Sequence, residues 1–210
     1  MISYLNTENI ARSRDGIEYH PLRPFLPGNA QVLFLGSFPP QLKRWCFDFF
    51  YPNYGNDHWR IEGQIFFDDR NHFADTVAKR FKLDEVVAFC QEKGIAFFDT
   101  STAVRRLQDN ASDKFLEVVE ATDIRALLEQ LPHCKAVVTT GEKATETICS
   151  SLNIPAIPKV NTSVPIPDIY NKEGDGLLLY RLPSSSRAYP LPFDKKVEAY
   201  RKMFRSVSLI

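Results

Sequence analysis

Long apolar runs are missing from this sequence of 210 residues. Although 44% of the residues are hydrophobic, no run approaches the roughly 20 apolar residues needed to cross a bilayer. The first seven residues also lack the basic and apolar segments of a secretory signal peptide. We therefore expect a soluble, cytoplasmic protein that is not associated with a membrane.

Closely spaced cysteines are missing as well. The sequence contains no Cys-x-x-Cys pair, and its four cysteines are scattered at Cys46, Cys90, Cys134 and Cys149. This spacing disfavours a zinc site or an iron–sulfur cluster. We therefore expect reduced thiols, no metal and no cofactor.

The chain has no excess of charge of either sign, with 26 Lys plus Arg against 26 Asp plus Glu. Net charge therefore gives no general attraction to nucleic acid. This balance argues against a protein that coats nucleic acid, and it leaves room for a small local basic site.

The most informative stretch is a short apolar run that breaks into a turn. Val-Leu-Phe-Leu at 32–35 is followed by Gly36, Ser37, Phe38 and two prolines. An apolar run bounded by turn residues is typical of a strand buried on both faces of a parallel sheet. Ligands of such sheets bind at the loops that leave the carboxyl ends of the strands. The turn is a candidate ligand site, and a purely structural turn would have the same composition.

Further apolar segments predict a sheet of four strands. The predicted strands lie at 31–35, 94–101, 136–140 and 177–182, and the predicted helices at 72–90, 113–130, 142–152 and 194–206. Strands that alternate with helices indicate right-handed crossovers. We therefore predict one α/β domain over residues 1–210, with three αβα layers around a central, mostly parallel four-stranded sheet.

Two segments are expected to be irregular. Residues 1–30 are polar and rich in proline towards their end, which predicts an irregular N-terminal arm. Four prolines between positions 155 and 167 predict a loop or a sheet edge. Because the carboxyl ends of parallel strands lie at one edge of the sheet, we expect three polar loops to meet there, residues 36–56, 99–106 and 183–189.

Motifs in these loops resemble those of the uracil-DNA glycosylase superfamily. Leu-Phe-Leu-Gly-Ser-Phe-Pro at 33–39 resembles its first motif, and Asn-Asp-His-Trp at 56–59 matches the Asn-x-x-Trp of several branches. Phe-Phe-Asp at 97–99 resembles a strand that ends in a base-reading Asn or Asp. Leu-Pro-Ser-Ser-Ser at 182–186 is similar to the last motif, commonly His-Pro-Ser-Pro. The resemblance covers residues 31 to about 189.

Two departures from these motifs indicate which branch of that superfamily the sequence resembles. Phe38 stands where the uracil enzymes have an Asp or Asn that handles the attacking water, and Leu182 replaces the histidine of the last motif. Together with Asp99, these replacements resemble the hypoxanthine-DNA glycosylase branch, in which the Asn of Asn-x-x-Trp is catalytic. The resemblance therefore implies Asn56 as the catalytic residue, with an amide oxygen that orients a water.

The resemblance also implies a pocket for a base flipped out of DNA. The pocket residues would be Gly36, Ser37, Phe38, Phe50, Tyr51 and Asp99. Phe50 and Tyr51 would stack on the base, and Asp99 would accept a hydrogen bond from its Watson–Crick edge. Without the resemblance, Asp99 fits a helix cap and Asn56 fits a turn equally well.

The last loop is expected to hold the DNA backbone. Ser184, Ser185 and Ser186 can bind phosphates through hydroxyl and backbone N–H groups. Arg187 can enter the gap left by the flipped base or pair with a phosphate. His58, beside an aspartate, is a candidate auxiliary acid or base near neutral pH.

The expected function is that of a monomeric, metal-independent DNA glycosylase that removes uracil or hypoxanthine in base-excision repair, with DNA as its partner. An alternative is a catalytically impaired relative that binds DNA or a nucleobase-like ligand, because both customary catalytic side chains are replaced. A third is a phosphate site at 141–143, Gly-Glu-Lys, although the glycine-rich spacing of such loops is missing.

Overall fold

The computed structural model describes residues 4–13, 16–108, 115–170 and 174–210. Its α-helices are α1 (Thr7–Arg12), α2 (His58–Phe66), α3 (Leu83–Lys93), α4 (Ile124–Glu129), α5 (Glu142–Ser151) and α6 (Phe193–Ser206). Its strands are β1 (Ile17–Tyr19), β2 (Val32–Gly36), β3 (Ala74–Asp75), β4 (Arg80–Phe81), β5 (Ile95–Asp99), β6 (Ser101–Arg106), β7 (Leu116–Ala121), β8 (Ala136–Thr139), β9 (Thr162–Tyr170) and β10 (Gly176–Arg181). Within these ranges, no helix is long and apolar enough to span a bilayer.

Five strands form the central sheet, in the order β5-β2-β8-β10-β9. The first four are parallel, and β9 is antiparallel to β10. The predicted mostly parallel sheet is confirmed, whereas the predicted number of four strands is wrong. The additional strand carries Pro165 and Pro167. It can hold them because an edge strand has one side without a sheet partner.

Helices cover both faces of this sheet. On one face, the Phe34 ring of β2 packs against Tyr200 of α6 and His58 of α2. Neighbouring residues of a strand point to opposite faces, so Thr139, the register partner of the next residue in β2, faces the other way. There its hydroxyl lies 2.8 Å from that of Thr145 in α5. This is the layered arrangement that alternating strands and helices predict.

A second, antiparallel sheet has the order β1-β6-β7 and corrects two predictions. The predicted polar loop after Asp99 is strand β6. The predicted helix at 113–130 is β7 followed by α4, and its residues 113–114 lie outside the described ranges. Two adjacent valines favour the strand. Asp123 then starts the new helix, because its Oδ1 accepts the N–H of Ala126 at 3.0 Å.

The N-terminal arm is docked on the sheet. The prediction of an irregular arm is wrong for α1 and β1, while residues 1–3 and 14–15 lie outside the described ranges. The backbones of Phe25 and Phe97 exchange two hydrogen bonds of 3.0 and 2.9 Å, and the Leu22 and Phe25 side chains are buried. Apolar burial therefore holds the arm against the outer edge of β5.

Candidate functional site

The carboxyl ends of β2 and β5 lie side by side at the predicted ligand edge. Gly36 and Asp99 are register partners, and the Asp99 Oδ1 occupies the space that a side chain at position 36 would need. A glycine is required here because only a residue without Cβ leaves room for the carboxylate. Ser37 and Phe38, the next two residues of the predicted pocket, are buried.

A histidine of the N-terminal arm binds Asp99. His20 Nε2 lies 2.7 Å from Asp99 Oδ2, and both side chains are largely buried. The helix-cap alternative for Asp99 is wrong, because a strand follows it. Sequence reasoning missed His20, since its partner is 79 residues away and no local pattern marks the contact.

Three phenylalanines surround His20. Its ring centroid lies 4.6 Å from that of Phe98, 5.3 Å from that of Phe38 and 6.4 Å from that of Phe50. All three phenylalanines are buried. Phe38 and Phe50 thus form the wall around the pair of His20 and Asp99, and the imidazole takes the space between them.

Tyr51 has a positive φ of 51°, which is unusual for a bulky side chain. Its ring stacks on His58 with centroids 3.8 Å apart and planes 9° apart, and its hydroxyl lies 3.1 Å from Thr140 Oγ1. Unlike Phe50, Tyr51 is only half-buried. Strained backbone of this kind is concentrated at functional sites, so Tyr51 has the surface and the fixed position that a stacking residue needs.

Asn56 joins the start of α2 to the last loop. Its Oδ1 accepts the N–H of His58 at 2.9 Å, and its backbone oxygen accepts from Arg60 Nη1 at 3.2 Å. An isolated antiparallel bridge pairs it with Ser186. The turn role that the sequence leaves open is therefore present. The same turn fixes an amide whose oxygen retains a second lone pair.

The serines of the last loop differ in exposure. Ser185 is 1% exposed, and its backbone oxygen accepts the N–H of Asp57 at 3.0 Å. Ser184 and Ser186 are half-buried, and their hydroxyl oxygens accept the N–H groups of Ser186 and Ala188, each at 3.2 Å. Both hydroxyls therefore keep their own proton for an acceptor outside the protein.

Positive charge gathers around the buried carboxylate of Asp57. Its Oδ1 accepts from Arg187 Nε at 2.9 Å, and its Oδ2 lies 3.9 Å from Lys196 Nζ. The Lys196 ammonium also donates to the backbone oxygen of Ser186 at 2.7 Å. Burial, aided by Arg187, lowers the pKa of Lys196 and that of Arg60. The two cations at this one carboxylate leave an excess of positive charge, which favours a bound anion.

His58 lies in the interior with Glu62. Both side chains have 0% exposure, and His58 Nε2 is 3.6 Å from Glu62 Oε1. Neither side chain forms a hydrogen bond with a described residue. Burial lowers the pKa of His58 to about 3 and raises that of Glu62 well above its usual range. At neutral pH His58 is therefore uncharged, with its ring covered by Tyr51.

The structure places Asp99 beside Gly36 and pairs Asn56 with Ser186. Elsewhere, a cavity of about 490 Å³ lies between α1 and residues 45–48, and a cavity of about 340 Å³ is lined in part by Arg106. In the described part of the chain, no three metal-ligating side chains come close enough to hold a metal ion.

Gly36→Ala is expected to lower the free energy of unfolding by about 1–3 kcal/mol. The new methyl group would displace the Asp99 carboxylate and strain its bond to His20. Urea unfolding measures the effect, and Gly28→Ala is the matched control, because a Cβ at position 28 meets no atom within 4 Å. Equal unfolding midpoints for the two variants would contradict this packing argument.

The fold has a counterpart among solved structures. It is similar to the solution NMR structure of a candidate uracil DNA glycosylase from Methanosarcina acetivorans, with a TM-score of 0.55 and 20% sequence identity. The likeness covers 89% of this chain and 98% of that chain. No family model and no curated protein matches the sequence. At this identity the likeness defines the fold, a mixed α/β architecture on a mostly parallel sheet.

Proposed function

We propose that this protein is a DNA glycosylase that hydrolyses the N-glycosidic bond of uracil or hypoxanthine flipped out of DNA. The observation that carries the proposal is that segments distant in sequence contact each other, since Asp99 lies against Gly36 and Asn56 is bridged to Ser186. The similarity of this protein in fold to a candidate uracil DNA glycosylase supports the same proposal. The reaction leaves an abasic site for base-excision repair.

Tyr51 and Asp99 bind the flipped base in this proposal. Tyr51, which is half-buried, stacks on it, and such stacking contributes roughly 1–3 kcal/mol per base. Asp99 accepts a hydrogen bond from the edge of the base. Phe38 and Phe50 support the pocket from behind, since both contact His20.

Asn56 positions the attacking water. Bond cleavage passes through a transition state with oxocarbenium character at the sugar, and a water must then reach C1′. The Asn56 Oδ1 is held in place by the His58 N–H, and its remaining lone pair accepts a hydrogen bond from that water. The amide is a weak base, so its contribution is orientation rather than proton removal.

The last loop holds the DNA backbone. Ser184 and Ser186 donate their hydroxyl protons to phosphate oxygens, and the excess positive charge near Arg187 attracts the strand. The Arg187 side chain is 49% exposed although its Nε is bound to Asp57, so its outer nitrogens can reach a phosphate. Ser185 contributes through the shape of the loop, because its side chain is buried.

The auxiliary acid or base role of His58 has no part in this mechanism. Its imidazole is completely buried and uncharged at neutral pH, so it neither reaches a substrate nor donates a proton. It acts instead as the surface on which Tyr51 is stacked. Hydrolysis by water requires no cofactor in the proposed scheme.

The proposal is tested with labelled duplexes that contain one U·G or one hypoxanthine·T pair. After incubation with the protein and treatment with alkali, we expect strand breaks at the lesion. Matched duplexes with C·G or A·T at the same position serve as controls and are expected to stay intact.

Breaks at neither lesion would overturn the enzymatic proposal. Tight binding of the lesion duplexes without release of a base would instead support the alternative of a catalytically impaired relative, for which the replacements at Phe38 and Leu182 are the sequence argument. The same duplexes in a gel-shift assay make this distinction.

A further inference from the structure

Both ring nitrogens of His20 are used within the protein. Because a carboxylate can only accept a hydrogen bond, a neutral ring facing it carries its proton on Nε2, 2.7 Å from Asp99 Oδ2, and the N–H of Leu22 then donates to Nδ1 at 3.1 Å. When the ring is doubly protonated, Nδ1–H donates to the Leu22 oxygen at 2.9 Å and Nε2 still donates to Asp99. In both arrangements Asp99 Oδ2 accepts a hydrogen bond from His20 Nε2.

The two members of the pair differ in access to the site. The His20 side chain is 1% exposed, whereas that of Asp99 is 10% exposed. Asp99 Oδ2 is bound to His20, and Asp99 Oδ1 lies over the Cα of Gly36. A ligand can therefore touch Asp99 without touching His20, and any effect of His20 on a ligand passes through Asp99.

The histidine is a fixed part of the fold. Strand β1 pairs with β6, and the His20 N–H continues this pairing by donating to the Thr102 oxygen at 2.8 Å. The His20 backbone oxygen accepts from Asn9 Nδ2 at 3.0 Å, and the adjoining Leu22 is buried in the core. Withdrawal of the imidazole would break these backbone hydrogen bonds and the packing of Leu22, so His20 has a fixed position in the site.

We propose that His20 is a positioning residue that holds Asp99 as a hydrogen-bond acceptor, so that the site selects bases carrying an N–H on the Watson–Crick edge of the ring, at N3 of a pyrimidine or N1 of a purine. The proposal rests on the function proposed above. It adds a specificity role for the arm, which none of the motif resemblances includes.

The chemistry of deamination explains what such an acceptor distinguishes. Cytosine and adenine present a ring nitrogen with a lone pair, N3 and N1 respectively, which a carboxylate oxygen repels. Deamination gives uracil and hypoxanthine, in which the same nitrogen carries a proton and can donate to that oxygen. One acceptor at Asp99 therefore separates both deaminated bases from their parents. Thymine and guanine also carry a ring N–H, so their exclusion depends on other contacts.

The test measures binding separately from catalysis. The probes are duplexes with 2′-fluoro-2′-deoxyuridine or 2′-fluoro-2′-deoxycytidine opposite an abasic-site analogue. The fluorine disfavours the oxocarbenium transition state and so prevents cleavage, and the missing partner removes differences in base pairing. We expect the wild-type protein to bind the uridine duplex about tenfold or more tightly than the cytidine duplex.

His20→Phe preserves a ring between the phenylalanines but removes the donor, and we expect its preference for uridine to fall to less than about threefold. His20→Gln retains an N–H donor and is expected to keep most of the preference. Asn9→Ala is the matched control, because it loosens the arm at the His20 backbone oxygen and leaves the imidazole in place. Circular dichroism checks that each variant is folded.

Each outcome decides the matter. An undiminished preference in folded His20→Phe overturns the role of His20, as does a wild-type protein that binds both duplexes equally, whether or not it releases uracil from a cleavable duplex. A preference that His20 controls, without release of any base, supports this inference and refutes the enzymatic proposal. If His20→Phe does not fold, nitrogen-15 NMR of the wild-type histidines decides. A protonated Nε2 whose resonance shifts in Asp99→Asn supports the pair, and an unprotonated Nε2 overturns it.

Discussion

Asn56→Ala is expected to lower the rate of uracil release by roughly 10²-fold, the loss typical when a reactant is no longer held in position. The substitution removes the amide oxygen that orients the water in the proposed mechanism. It also removes the acceptor for the N–H of His58, and loss of such a cap costs about 1 kcal/mol, so the protein is expected to stay folded. Single-turnover kinetics on the U·G duplex measure the rate.

The same turn supplies a matched control. Asn53 also accepts a backbone N–H through its Oδ1, from Gly55 at 2.8 Å, but this contact is exposed. Asn53→Ala is expected to retain at least about half of the wild-type rate, since it removes a turn contact of similar strength and leaves Asn56 intact. Equal losses in the two variants would show that the turn matters rather than the Asn56 amide. A wild-type rate in Asn56→Ala would refute its catalytic role.

His58 and Glu62, buried together, are each expected to make stability depend on pH. The folded pKa of His58, about 3, is below its ordinary value of 6.5. Above pH 6.5 the ring is neutral in both states. Below it the unfolded chain binds a proton that the folded chain does not, so stability falls as the pH falls towards 3. Between pH 6.5 and 4.5 the loss amounts to about 2–3 kcal/mol.

Glu62 acts in the opposite direction. Burial raises its folded pKa well above the ordinary value of 4.5. Below pH 4.5 the carboxyl is protonated in both states, and above it the unfolded chain releases a proton that the folded chain keeps. Stability therefore falls as the pH rises from 4.5 towards the folded pKa. From pH 4.5 to 6.5 the effects of His58 and Glu62 on the free energy of unfolding are therefore opposite and largely cancel in the wild-type protein.

Single substitutions are expected to reveal the two slopes. Relative to the wild-type protein, Glu62→Gln should become less stable as the pH falls from 6.5 to 4.5, and His58→Phe should become less stable as it rises over the same interval. Urea unfolding at several pH values measures both. His72→Phe is the control, because His72 also stacks on an aromatic ring but remains partly exposed. Parallel curves for all four proteins would show that neither buried group carries a shifted pKa.

Much of the central sheet could be predicted from the sequence because its inner strands are short apolar runs with turn residues behind them. The strand that contains Phe34 is an example, and it is buried on both faces. The fifth strand could not be predicted in the same way, since Pro165 and Pro167 are compatible with a strand only at a sheet edge. Position in the sheet, rather than composition, decides that case.

The site was only partly predictable for a related reason. Motif spacing indicates that Asn56, Asp99 and the last loop belong together. It does not indicate which serine faces inward, because the path of the backbone determines that Ser185 is buried and Ser184 is not. A lysine in a helix is usually exposed to solvent, yet Lys196 is buried and its ammonium binds the backbone oxygen of Ser186 in the last loop.

The separation in sequence of the residues that close the site has a consequence for how the protein folds. His20 and Asp99 are 79 residues apart, Tyr51 and Thr140 are 89 apart, and Asp57 and Arg187 are 130 apart. Contacts over such distances carry a large loop-closure entropy and form slowly. Helices can therefore exist in the chain before these contacts form. The proposed recognition of a base thus requires the completed fold, and no single segment could provide it.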